Sequence, residues 1–450
     1  MKHFEKLIIC LGILIRIFIF CLNPPNNSND DHLELINKYS LNLKFKAEEC
    51  WECYQPPLYY NITSNILDAA HNLKISKMGC WKAVQGFNLV LTILVLLLFY
   101  KLLVNEGIKP VYRILILSFW VAFPRDIMAF AMITNDYFLV FITTLILYWI
   151  SVLLKLQPHS KKWWVYYILI VGLSSCGGLI KQSGLVLLVI PFLLTIKSFV
   201  VLPRKKFKFF TFLLFFVAVL ISLSPEIKNH LLGYKFLVSN QDFFGSNPAQ
   251  YPGKISEIEF FSLKIIELLK HPFLDTPTSY SFNTELFANG MYDYDRKFTF
   301  ISDKSILSAQ YSYIIGFLWV LFFMFVLIIN YKKVTDKIRP DFFVNHFTIS
   351  VFALCICLSF YFVPLLQTFR LPYSSSMKSQ FLLPAIPALL LILAKAINYL
   401  NFNTKIVYVA VLLNVVLVGA IAWSFYEGLT YGLNEEHGAM LFKIPNLKTW

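Results

Sequence analysis

Long apolar runs alternate with polar joints along the chain, most of the joints short and two of them long. In order the runs are Leu7–Cys21, Val84–Val104, Tyr112–Ile133, Asp136–Leu154, Val165–Ile180, Gly184–Phe199, Phe209–Leu223, Tyr311–Ile329, Phe347–Leu366, Phe381–Ala396 and Lys405–Tyr426. Most approach the roughly 20 apolar residues that cross a bilayer core. Backbone polar groups in lipid must be satisfied within the segment itself, so each run is read as a helix. The pattern predicts an all-α polytopic membrane protein with about eleven transmembrane helices. Leu7–Cys21 follows Lys2 and Lys6, as in a signal peptide, but no small-residue cleavage site is evident and it is kept as a first helix.

The charges orient these helices. Basic residues gather in short joints: Lys155, Lys161 and Lys162; Arg204, Lys205, Lys206 and Lys208; Lys332, Lys333, Lys337 and Arg339. Placing Lys2 and Lys6 in the cytoplasm puts every one of these joints there too, as the positive-inside rule requires. Two long segments, 22–83 and 224–310, then lie outside, and so does a C-terminal tail, 427–450. Residues 1–426 form one transmembrane domain carrying both loops. In the second loop, Ile255–Lys270 repeats apolar residues at helical spacing (Ile258, Phe261, Ile265, Leu268, Leu269), and Ser256 with Glu259 has the capping-box spacing. This predicts a helix that lies along the membrane surface or packs in a small external domain. No internal repeat or low-complexity tract is visible.

Composition agrees. Of 450 residues 57% are hydrophobic and 15% charged, with a mean hydropathy of +0.62, against about 45–50% and 25% for soluble domains. The net charge of +14 is explained by orientation, and no nucleic-acid partner is expected. Cys10, Cys176, Cys355 and Cys357 fall in apolar spans and read as small core residues, whereas Cys50, Cys53 and Cys80 share the first external loop. One structural disulfide among those three is expected, in preference to redox or zinc chemistry.

Candidate chemistry lies on the external side. After the first span comes Asn29-Asp30-Asp31-His32-Leu33-Glu34, in which Asp30 and Glu34 share a face if helical. Titratable groups at the mouth of a bundle suit acid–base work, although most such clusters are solvated turns. Gln55-Pro56-Pro57-Leu58-Tyr59-Tyr60 is a rigid element with two amphipathic rings. Asn135-Asp136 opens the fourth span, where Asp136 is also suited to capping the helix. Arg125-Asp126 falls inside a span, as a local ion pair or as part of a buried site. Lys181, in a glycine-rich stretch closing the fifth span, suits a lipid phosphate or simple snorkelling to the headgroups. Arg370 and Lys378, before the tenth span, are cations of the same kind. No Walker loop, HExxH, GxSxG or dinucleotide fingerprint is present.

In combination these pieces resemble the GT-C membrane glycosyltransferases, in particular the group of protein O-mannosyltransferases and the lipid A aminoarabinose transferase. Asp30-Asp31-His32, Pro56 to Tyr60, Asn135-Asp136 and the Lys181 element match in order, and Phe381-Leu382-Leu383-Pro384-Ala385-Ile386-Pro387 resembles a late Leu-Pro segment of the family. Two departures stand out. Many relatives have Asp-Glu where this chain has Asp30-Asp31, and an Arg-Tyr pair where it has Ser379-Gln380. The resemblance implies a sugar carried on a polyprenyl or dolichyl phosphate, passed with inversion to a hydroxyl acceptor on the external or lumenal face. It makes Asp30 or Asp31 the base, and gives His32, Glu34, Pro57, Tyr59, Tyr60, Asn135, Asp136, Lys181, Arg370 and Lys378 to substrate binding. No cofactor and no metal ligand is assigned, although the acidic cluster suits a divalent metal. A bacterial inner membrane is expected, with the endoplasmic reticulum as alternative. Rival readings are a transporter or channel lined by Arg125, Asp126 and Lys181, and a polymerase or ligase using polyprenyl-diphosphate donors.

Overall fold

The apolar runs fold as helices. The computed structural model describes residues 2–23, 25, 32–158, 160–202, 205–239, 241–244, 256–273, 281–294, 302–335, 348–370, 378–400 and 404–432, and every regular element among them is helical. Helix α1 (Lys2–Leu22) is followed in the first loop by α2 (His32–Ser40) and α3 (Leu58–Asn72). Next come α4 (Lys77–Asn105), α5 (Pro110–Ala122), α6 (Pro124–Ala131), α7 (Asp136–Leu153), α8 (Lys161–Ile180), α9 (Val189–Val201) and α10 (Lys205–Leu231). The second loop holds short helices, α11 (Gln241–Phe244), α12 (Glu257–Phe261), α13 (Ile265–Lys270) and α14 (Phe282–Met291). After the second loop come α15 (Asp303–Thr335), α16 (Ile349–Arg370), α17 (Ile386–Leu400) and α18 (Thr404–Gly432). Two tight 3₁₀ turns, Gln182–Leu188 and Ser379–Ala385, lead into α9 and α17.

Among the described residues, eight helices are long and apolar enough to cross a membrane, or nine with the bent pair α5–α6 counted as one span. Helix α1 carries Glu5, Lys6 and Arg16, and the apolar part of α18, Val407–Trp423, is shorter. The chain is an integral, multi-pass, all-α membrane protein. Helix α7 is its centre: 72% of that span is buried, against 17% of α10. Large residues on α10, such as Phe209, Phe212, Phe216 and Leu220, are exposed as a lipid-facing surface would be.

One end of the bundle is clamped by ion pairs. Glu106, after α4, takes Lys395 of α17 at 2.6 Å and Lys155 at 3.9 Å, and Glu5 of α1 takes Arg113 of α5 at 2.8 Å. The opposite end carries both long loops. There Cys50 and Cys53, three residues apart in the first loop, form a disulfide, while Cys80 stays a buried thiol.

Three expectations change. Tyr112–Ile133 is not one straight helix: Pro124 lacks the N–H that would continue α5, and the chain bends by 49° there. The Ile255–Lys270 helix is two short helices joined through extended Ser262. Its Ser256–Glu259 capping box is present, but Ile258 is 85% exposed and only Leu268 is buried. Arg125 and Asp126 do not pair with each other, since each finds a partner on another element.

Candidate active site

The site begins with a break in the membrane helices. Between α6 and α7 the backbone unwinds over 132–135, leaving carbonyls that no helix satisfies. Amides of α1's end and of α4 fill that need: Asn23 Nδ2 and Gln85 Nε2 both donate to Ala131 O, at 3.0 and 2.6 Å. Asn88 Nδ2 donates to Met132 O at 2.8 Å and to Thr134 O at 3.3 Å. The Lys82 ammonium holds the Phe20 and Asn23 carbonyls that end α1. The break is thus fixed in shape, and it presents Asn135 and Asp136.

A second break presents Lys181. Helix α8 ends at Ile180, Lys181 is extended (φ −156°, ψ 145°), and the 3₁₀ turn folds back on the helix. Only glycines allow this contact: a Cβ on Gly184 would lie 2.1 Å from Gly177 O, and one on Gly177 2.7 Å from Gly184 O. The two breaks meet. Lys181 Nζ donates to Asp136 Oδ1 at 2.5 Å, Thr134 Oγ1 donates to Asp136 Oδ2 at 2.9 Å, and Asn135 Nδ2 donates to Ile180 O at 3.2 Å. Lys181 is 7% exposed, so it is no snorkelling surface lysine. Asp136 does not cap α7 either: Asn135 holds the cap position, and the Asp136 carboxylate is spent on Lys181 and Thr134.

The first loop packs onto this pair. Pro57 starts α3, which buries Tyr59 and Tyr60. The Tyr59 hydroxyl is fully buried beside Asn88, without a hydrogen bond of good geometry. Burial first, and then the nearby Asp136 carboxylate, push its pKa up, so the phenol stays neutral. Tyr60 OH meets His32 Nδ1 at 2.7 Å. That bond pins the first residue of α2, directly after Asp30-Asp31, against α3. Asp30 and Asp31 themselves lie outside the described residues. Glu34 pairs with Lys38 at 3.7 Å on its own helix.

From the far end of the chain, the Ser379–Ala385 turn packs on α7 and closes the site. Phe381 lies under the Lys181 ammonium, 5.2 Å from ring centroid to Nζ. Gln380 Oε1 accepts from Arg125 Nη2 at 2.6 Å. Lys378 is half-buried at the start of this turn, and the Arg370 side chain lies outside the described residues. Among the described residues, no group of three His, Cys, Asp or Glu side chains is placed to hold a metal ion.

Beneath the site lies a network that sequence reasoning missed. Arg16 of α1 pairs with Asp126, donates to Thr92 Oγ1 at 2.8 Å and to Gly12 O at 3.1 Å. Tyr137 OH donates to Asp126 Oδ1 at 2.6 Å and meets Thr92 Oγ1 at 2.7 Å. Every member is fully buried. It ties α1, α4, α6 and α7 together directly under Asp136. The available signal was Arg16 itself, an ionised residue within an apolar run, which calls for an acid from another run such as Asp126.

No family model matches the chain, and no curated protein matches it. Solved structures do. The oligosaccharyltransferase of Archaeoglobus fulgidus is 13% identical with a TM-score of 0.44, covering 97% of this chain and 57% of that one. The mycobacterial arabinofuranosyltransferase AftD is 10% identical with a TM-score of 0.42, covering 95% and 27%. ArnT of Cupriavidus metallidurans, solved bound to undecaprenyl phosphate, is 13% identical with a TM-score of 0.38, covering 93% and 77%. This chain therefore spans about a quarter of AftD and somewhat over half of the oligosaccharyltransferase.

Proposed function

We propose that this chain is a membrane glycosyltransferase that moves a sugar from a polyprenyl- or dolichyl-phosphate donor to a hydroxyl acceptor at the loop-bearing, external or lumenal face. One observation carries the reading. Residues 59, 136, 181 and 381, remote in sequence, meet at the loop-bearing end of the bundle around a buried ion pair. The helix that follows Asp30-Asp31 is pinned to the same cluster through His32 and Tyr60.

Chemically, the acceptor oxygen attacks the anomeric carbon as the bond from that carbon to the phosphate oxygen breaks. The electron pair leaves with the lipid phosphate, and the acceptor's proton passes to Asp30 or Asp31. In-line displacement inverts the anomeric centre. Tyr59 offers a buried O–H for the sugar or phosphate, and Asn135, whose Nδ2 donates to Ile180 O, offers a buried amide oxygen that can accept from a sugar hydroxyl. Lys181 and Asp136 fix the floor of the site, since each neutralises the other. A bacterial inner membrane is the setting favoured here.

A transport pathway is supported less well. Of the ions it would use, Lys181 and Asp126 are each bound to a buried partner, as a structural clasp would be. Transfer from a panel of radiolabelled polyprenyl-phosphate sugars by purified protein tests the proposal. Turnover of one donor supports it, and failure to bind any donor contradicts it.

A further inference from the structure

Arg125 is a buried cation with no counter-charge among the described residues. It is 4% exposed, and among the described residues its side chain bonds to the neutral amide of Gln380, with Nε left without a partner. The other buried cations nearby are matched: Arg16 has Asp126 and Lys181 has Asp136. Among the described residues no carboxylate pairs with Arg125. Taking a guanidinium out of water costs several kcal/mol unless an anion compensates it, so an orphan of this kind points to an anionic ligand.

The surroundings fit that ligand. The turn that supplies Gln380 also supplies Ser379, whose hydroxyl is buried and unpartnered. Helix α14 packs against both α6 and this turn, with Gly290 facing Ser379: a Cβ there would lie 3.7 Å from Ser379 Cβ. Its neighbour Asn289 has a buried, unpartnered side-chain oxygen. The guanidinium edge and, on the turn that carries its Gln380 partner, the Ser379 hydroxyl are thus two donors short of an acceptor, while the Asn289 oxygen is left to accept from a group such as a sugar hydroxyl. The two donors are the complement of a phosphate, which offers only acceptors at neutral pH.

We infer that Arg125, held by the turn that also carries Ser379, binds the phosphate of the lipid-linked donor. The inference rests on the proposed use of a lipid-phosphate donor. Arg125 occupies α6, yet it reaches the position where this chain carries Ser379-Gln380. Gln380 then holds the guanidinium in place.

Binding of radiolabelled undecaprenyl phosphate to the purified full chain in nanodiscs tests this, with wild type, Arg125→Gln, Arg125→Lys and Ser379→Ala compared. Arg125→Gln is expected to weaken binding at least tenfold, Arg125→Lys less, and Ser379→Ala a few-fold. Thermal unfolding without lipid separates this from damage to the fold. Removing an uncompensated charge leaves the melting temperature unchanged or higher, whereas losing a structural arginine lowers it. Equal binding by wild type and Arg125→Gln overturns the inference while leaving the donor class intact. A lowered melting temperature with unchanged affinity overturns it as well. No binding by wild type overturns both the inference and the proposed donor.

Discussion

Lys181 and Asp136, 45 residues apart, form an ion pair 2.5 Å long between two breaks in membrane helices, with side chains 9% and 4% exposed. Each break leaves backbone groups unsatisfied by its helix, and each is held by polar side chains or by glycine contacts. The pair makes the two breaks interdependent. Removing one partner strands a buried charge, which typically costs about 3–5 kcal/mol, whereas removing both is far milder. Lys181→Met is therefore expected to lower the melting temperature sharply, and Lys181→Met with Asp136→Leu to recover much of the loss. Additive losses in this double-mutant cycle would show that the two do not act as a pair.

The Arg16–Asp126 network is expected to be structural. Tyr137→Phe removes a hydroxyl that Asp126 and Thr92 share, and leaving a buried carboxylate oxygen short of a donor costs about 1–3 kcal/mol. Thermal unfolding of the purified protein measures this. Unchanged stability would mean that Asp126 is satisfied without Tyr137.

Glycines at the Lys181 turn predict opposite effects within one region. Gly184→Ala puts a Cβ 2.1 Å from a backbone oxygen, so the turn must move, at a cost of about 1–3 kcal/mol. Gly172, within α8, has nothing within 4 Å of its Cβ position. Gly172→Ala is expected to stabilise by roughly 0.5–1 kcal/mol, as in other helix interiors. Equal melting temperatures for the two variants would contradict the close approach.

The two long loops touch through Tyr234, which donates to Glu48. That hydrogen bond, first, holds the Glu48 pKa below its ordinary value. A depressed carboxylate pKa gives a link that is whole above the ordinary glutamate range and is lost as pH falls through the lower, folded value. An NMR titration of the Glu48 carboxyl reads it, and Tyr234→Phe should move the midpoint upward. A midpoint indifferent to that change would rule out the link.

Much of this architecture was legible in the sequence because lipid imposes a simple rule. Runs such as Asp136–Leu154 had to be helices, and Asp136, Lys181 and Tyr59 do meet. What escaped were facts of tertiary pairing. Arg16 sits among leucines and isoleucines, and nothing local names Asp126 as its partner. Arg125 and Asp126, adjacent in sequence, diverge because α6 points successive side chains to different neighbours. Ile258 and Phe261 repeat at helical spacing, yet the helix ends at Phe261 because Ser262 turns extended. Pro124 was visible, but a kink of 49° needs the packing on both sides of it.

The most direct test of the central claim compares wild type with Asp30→Asn and Asp31→Asn for sugar transfer from the polyprenyl-phosphate donor that wild type binds. One variant is expected to lose turnover by a factor of at least 100, as loss of a general base does, while keeping wild-type affinity for the donor. Full turnover in both variants would contradict the account, because no acceptor proton would then depend on either carboxylate.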